Sequence, residues 1–204
     1  MGEDRKSGGG LDAERAASNR RETKETTIEI RCDLETGAEP SVNTGLPFFD
    51  HLLTAMAFHG RFGLTVDASG DLDVDPHHLV EDTGLVLGDV LGDIAEREPI
   101  ERFAHAVVPM DDACAEVTVD FGGRPYLVYR VDFPQPRAGS FDLSLLREFF
   151  NALSIRSRAN IHLEGRYAVN GHHLAEALFK GLGLAIRDAF RRREAGGMST
   201  KGLV

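Results

Sequence analysis

Two histidine pairs carry the strongest chemical signal in the sequence. His77-His78 is followed by Glu81, and His172-His173 by Glu176, so the unit His-His-x-x-Glu occurs twice. On a helix the glutamate lies one turn beyond the histidines, where a carboxylate and an imidazole can share an ion. Adjacent helical residues point about 100° apart, so the two rings of a pair face different directions. Two pairs therefore predict two metals, each collecting ligands from more than one segment. His51 precedes His77 by 26 residues and Glu148 precedes His172 by 24, which makes both further candidate ligands. Imidazole and carboxylate without thiolate suit Mn, Fe, Co, Ni or Zn, and a crowded His/Glu octahedron favours Mn²⁺. A single histidine pair is more often a surface or core feature; the duplication points to metal. The order also differs from the His-Glu-x-x-His of zinc proteases.

These groups need elements to hold them, and the apolar pattern supplies a repeating set. Ile28, Ile30, Cys32 and Leu34 alternate with polar residues and predict a strand over about 24–34. Phe48, Leu52, Leu53, Met56 and Ala57 have helical spacing. Leu64, Val66 and Ala68 alternate again, and a helical pattern runs from His77 to Ile94. Then come strands at 117–121 and 127–133, a helix from Leu143 to Ile155, a strand at 159–163 and a helix from His172 to Arg192. At an offset of 95, nine of the 24 positions from 70 to 93 are identical, among them both histidines, Glu81 on Glu176 and Gly88 on Gly183. One half alone would leave a sheet face open, so the halves should pack together. The predicted fold is α+β: two similar half-domains, about 20–98 and 99–195, each a sheet backed by helices, sharing one core. Residues 1–19 read as a disordered polar tail, with Gly8-Gly9-Gly10 and no apolar period.

Composition narrows the role. The chain has 204 residues and a formal charge of −10, which disfavours a nucleic-acid surface. No apolar run reaches the ~20 residues of a membrane span, and Met1 to Arg20 lacks the apolar segment of a secretory signal. Cys32 and Cys114 lie in strand-like runs and read as buried free thiols of a cytoplasmic protein. His59 is expected to pack or cap the end of its helix, and His105 and His162 to serve the core or the surface. Asp111 and Asp112 either fix a turn or line the site.

Longer motifs surround the histidines. They include Thr23-Lys24-Glu25-Thr26, Thr44-Gly45-Leu46-Pro47-Phe48-Phe49-Asp50-His51, and Gly70-Asp71-Leu72 followed by Asp75-Pro76-His77-His78-x-x-Glu81-Asp82. Pro109-Met110-Asp111, Gly123-Arg124-Pro125, Asn170-Gly171-His172-His173-x-x-Glu176-Ala177-x-Phe179-Lys180 and Ser199-Thr200-Lys201-Gly202 complete the set. Together these resemble the imidazoleglycerol-phosphate dehydratases of histidine biosynthesis, over about residues 20–204. Glu148 stands where many members have histidine, Leu79 replaces a common threonine and Met198 a common proline.

The resemblance implies a cytoplasmic hydro-lyase with two Mn²⁺ per active site that converts imidazole glycerol phosphate to imidazole acetol phosphate. It also implies an assembly of twenty-four identical subunits with active sites between chains, acting on a small phosphorylated imidazole. The metal set it suggests is His51, His77, His78, Glu81, Glu148, His172, His173 and Glu176, with Glu25, Glu81 and Glu176 as catalytic carboxylates. Arg102, Arg124, Ser199 and Lys201 match substrate-contacting positions, Glu25 is placed beside the substrate and Lys180 is an addition to them, the cations and the 196–204 segment serving the phosphate. The chemistry is reasonable for an unactivated C–H: cations at both ring nitrogens favour the imidazolate, whose electrons expel the neighbouring hydroxyl to give a diazafulvene. Loss of the adjacent carbon-bound proton then gives an enol and finally the ketone, which requires a positioned acid or base.

Two other readings share part of this pattern. A dinuclear hydrolase would use the same ligand types around a metal-bound hydroxide. A metal-storage bundle would also hold ions between carboxylates and histidines, but such bundles are all-helical, against the alternating strands here.

Overall fold

The computed structural model describes residues 15–193. The first half runs β1 (Ala16–Glu22), β2 (Thr26–Asp33), β3 (Ser41–Asn43), α1 (Pro47–Gly60), β4 (Gly63–Gly70) and α2 (His77–Arg97). The second runs β5 (Phe103–Met110), β6 (Ala113–Asp120), β7 (Tyr126–Arg130), β8 (Arg137–Ala138), β9 (Phe141–Asp142), α3 (Leu145–Ser157), β10 (Asn160–Tyr167) and α4 (Gly171–Ala189). The sheets have the orders β1-β2-β4-β3 and β5-β6-β10-β7. In each, the first three strands in that order pair antiparallel and the fourth joins parallel. The halves are thus one topology used twice, and the small β8–β9 ribbon is an insertion in the second.

Helices cross between the halves. α1 packs on α4 and α2 on α3, so each half's first helix lies against the other's second. The α2–α3 approach depends on Gly88, where a Cβ would stand 2.9 Å from the Leu153 carbonyl oxygen. Between the sheets lies a shared aromatic core: Phe149 stands 5.4 Å from Phe49 of the other half and 5.3 Å from Phe179. All three are fully buried, each worth about 1.5–3 kcal/mol by transfer.

Of the expected tail, residues 1–14 lie outside the described residues, and the last part is a strand. Residues 16–19 belong to β1, with Ala17 paired to Cys32 and Ala16 and Ala17 both buried. This strand carries no alternating apolar pattern because it is an edge, buried only at its first two residues. β3 is a three-residue edge strand with the same lack of signal.

Candidate metal centre and active site

Both histidine pairs open a helix, and both openings are built alike. The first histidine's backbone N–H donates to a side chain two residues earlier: His77 to Asp75 Oδ1 at 2.6 Å, and His172 to Asn170 Oδ1 at 2.9 Å. Asp75 and Asn170 are repeat equivalents at the offset of 95. Each satisfies one of the helix's unpaired N–H groups and fixes where the pair begins.

On α4, His172 Nε2 stands 3.3 Å from Glu176 Oε2. α1 brings His51 Nε2 to within 3.0 Å of the same oxygen. These three side chains offer ligand atoms all within 4.8 Å of one another, and they form the one such His/Cys/Asp/Glu trio among the described residues. Glu176 is buried, and its other oxygen accepts from Lys180 Nζ at 2.8 Å. Burial pushes its carboxyl up, but Lys180 and His51 outweigh that and hold it at about 2. The carboxylate is therefore an anion ready to ligate. The Phe48 ring lies 4.9 Å from that of His172, on a cavity of about 720 Å³ also bordered by Phe141 and by Pro76 at the start of α2. Two imidazole nitrogens and one carboxylate oxygen fit a divalent transition metal and leave coordination positions for further ligands.

The first half is more open. His77 Nε2 stands 3.7 Å from Glu81 Oε2, with both side chains partly exposed. Glu148 lies in the first turn of α3, but it is not gathered with His77 and Glu81 into a three-ligand cluster within the chain. Within each pair the rings are 5.9 Å apart and steeply inclined, at 87° for His77–His78 and 82° for His172–His173. The rings of a pair thus face different partners. His78 Nδ1 meets Asp71 Oδ2 at 3.0 Å, with Glu25 Oε2 at 3.8 Å. His173 Nδ1 meets Asp112 Oδ1 at 2.5 Å.

Glu25 sits on a turn held from both sides. Thr23 Oγ1 accepts from the backbone N–H of Glu25 and Thr26, and the Thr26 hydroxyl donates to Asp82, which also takes Arg21. Lys180 joins the trio through Glu176. The arginines do not join it. The Arg102 N–H donates to the Ala189 carbonyl at the last turn of α4, 17 residues or ~26 Å from His172. Its guanidinium pairs with Asp120 and lies over Phe103. The Arg124 carbonyl accepts from Asn160, at the opposite end of β10 from α4. Ser199 and Lys201 lie outside the described residues.

Asp112 fixes a turn and contacts His173, and Asp71 contacts His78, a pairing that spacing alone does not single out. His105 and His162 are exposed on sheet strands, and His59 packs its ring against Phe58 at the end of α1. Cys32 and Cys114 are free and buried, and burial pushes the Cys32 thiol up to about 12.

A family model described as Imidazoleglycerol-phosphate dehydratase matches residues 44–186. A protein of that name from Limosilactobacillus fermentum is 46% identical, over 93% of this chain and 100% of its own length. One from Geobacter sulfurreducens is 46% identical over 92% of this chain and 98% of its own. A crystal structure of imidazoleglycerol-phosphate dehydratase from Staphylococcus aureus superposes with a TM-score of 0.79 at 31% identity, covering 87% and 99% of the two chains. One from Pyrococcus furiosus gives 0.81 at 39%, covering 91% and 100%.

Proposed function

This chain belongs to the imidazoleglycerol-phosphate dehydratase family, and from that premise we propose how its own residues remove water from imidazole glycerol phosphate in histidine biosynthesis. The observation that carries the reading is the trio His51, His172 and Glu176 on a cavity wide enough for the substrate. Those side chains would hold one Mn²⁺, and His77, His78, Glu81, Glu148 and His173 would serve the remaining positions of a two-metal site. Bound metal supplies Lewis-acid stabilisation of the deprotonated imidazole ring.

The protein's part is positioning and proton movement. A ring N–H proton would first pass to a base; the ring's electron pair would then expel the hydroxyl on the attached carbon, whose oxygen takes a proton and leaves as water. The neighbouring carbon would then lose its hydrogen to a base while the ring nitrogen takes a proton back, giving an enol that tautomerises to the ketone. Glu25, exposed and held beside His78 by the Thr23–Thr26 turn, is suited to carry a proton on one of these steps. Glu81 and Glu176 serve as ligands whose charge orients the histidines.

The phosphate requires cations, and Arg102 and Arg124 lie ~25 Å from His172 along α4 and β10. A single chain therefore separates His172 from these arginines. Both would act in one site only if neighbouring copies supply them, consistent with an oligomer of twenty-four subunits. Lys180, Ser199 and Lys201 are further substrate contacts in this reading, and the enzyme would work in the cytoplasm. The test is water elimination from imidazole glycerol phosphate by metal-stripped protein with and without added Mn²⁺. Turnover restored by Mn²⁺ supports the reading; consumption of a generic phosphate ester instead would point to a dinuclear hydrolase.

A further inference from the structure

The two histidines of each pair use different nitrogens. His77 and His172 turn Nε2 toward the glutamate one turn later. His78 and His173 turn Nδ1 toward an aspartate. The aspartates do not correspond in the repeat: Asp71 follows β4, whereas Asp112 lies in the β5–β6 turn, and position 166 is Arg at the offset from Asp71. The same contact is thus built twice from unrelated parts of the scaffold.

A carboxylate only accepts hydrogen bonds, so the nitrogen facing it must carry the proton. A neutral ring held that way has its lone pair on Nε2. Asp112 is fully committed: Oδ2 accepts from the backbone N–H of Val169 and Asn170, each at 2.6 Å, while Oδ1 takes His173. Asp71 ties its histidine to the Glu25 turn, because its own backbone N–H donates to the Glu25 carbonyl at 3.1 Å. We infer that Asp71 and Asp112 are positioning residues that fix His78 and His173 with the proton on Nδ1, so that both rings offer Nε2 to a metal. The inference rests on the metal reading above; Asp111 Oδ2 stands 3.6 Å from His173 Nε2, beyond hydrogen-bond distance, so it does not compete with Asp112 for the ring proton.

Asp112→Asn separates this role from a merely structural one. Two backbone N–H groups still demand an acceptor, so the amide oxygen stays with Val169 and Asn170. The amide NH₂ is then left facing His173 Nδ1 and donates to it, moving the ring proton to Nε2 without dismantling the loop.

The experiment is magic-angle-spinning nitrogen NMR of metal-stripped protein with ¹⁵N-labelled histidine at pH 9, assigned with His78→Gln and His173→Gln. His51 and His172, whose Nε2 faces Glu176, provide an internal contrast. The wild-type protein should show His78 and His173 protonated on Nδ1, and Asp112→Asn should switch His173 alone. Mn²⁺ titration calorimetry should then show roughly 10–100-fold weaker binding in that variant, with an unchanged melting temperature. Wild-type rings protonated on Nε2, or a His173 proton that does not move in Asp112→Asn, would overturn the inference. Wild-type protein that binds no Mn²⁺ while the rings behave as expected would instead overturn the metal reading.

Discussion

Gly183 lies so close to Met56 that a β-carbon there would stand 2.0 Å from the Met56 carbonyl oxygen. The contact joins α4 to α1, which run in the same direction, five residues beyond His51 on one helix and seven beyond Glu176 on the other. The depth of this crossing therefore sets the His51–Glu176 separation. Gly183→Ala should push the helices apart, costing about 1–3 kcal/mol or more because backbone cannot yield as a side-chain tip can. Metal binding should suffer more than folding, since ligation tolerates little displacement. Thermal melting and Mn²⁺ titration of the variant check this; unchanged values for both would show that the crossing has slack.

Acid should act on the same trio. The Glu176 carboxyl is held at about 2 in the folded chain against an ordinary value of 4.5. A group depressed on folding stabilises the fold above its unfolded value, and that contribution is lost as pH falls toward the folded one. Metal-free protein should thus lose stability between about pH 4.5 and 2 in part through Glu176. Glu176→Gln should flatten the melting temperature across that window relative to the wild type. Parallel curves for the two would place the acid sensitivity in other carboxylates.

The repeat was legible because its identities fall on His, Glu and Gly, which a shared apolar pattern would not select. The sheets were legible wherever one face is buried, as at Ile28, Ile30 and Cys32, and illegible at β1, where only Ala16 and Ala17 are covered. The matching caps are hidden in the sequence because Asp75 and Asn170 differ in type while making the same bond. Asp112 and His173 lie 61 residues apart, and nothing local links a hairpin turn to a helix start. The distance between Arg124 and His172 is likewise a property of β10's direction, absent from any spacing in the chain.

Metal should also influence assembly. Among the described residues His77 and Glu81 stand partly exposed without a third ligand in the same cluster, so an ion there needs further donors. If these come from another copy, metal binding free energy is partly association free energy. Chelation at neutral pH should yield smaller oligomers and Mn²⁺ should restore the larger one, as read by native mass spectrometry. An identical mass after verified metal removal would place the holding force in other contacts.

The separation of the arginines from the trio makes a sharper prediction about where one active site is assembled. Arg124 is exposed, and its carbonyl bonds Asn160 at the start of β10, seven residues or ~23 Å of strand from Tyr167 near the α4 start. If Arg124 contacts the phosphate and His172 binds the metal, one chain cannot supply both to one small substrate. Arg124→Ala and His172→Ala proteins should each be nearly inactive alone. Dissociated by chelation, mixed in equal amounts and reassembled with Mn²⁺, they should regain activity. Random mixing places an intact His172 and an intact Arg124 at about a quarter of the sites, because each comes independently from one of two chain types. The double variant mixed with wild-type chains gives the same fraction and serves as the control for assembly. Activity near a quarter of wild type in the mixed single variants supports shared sites. Activity no higher than the two variants measured separately, with reassembly confirmed by mass, would show that both residues serve the same chain or that Arg124 lies outside the substrate site.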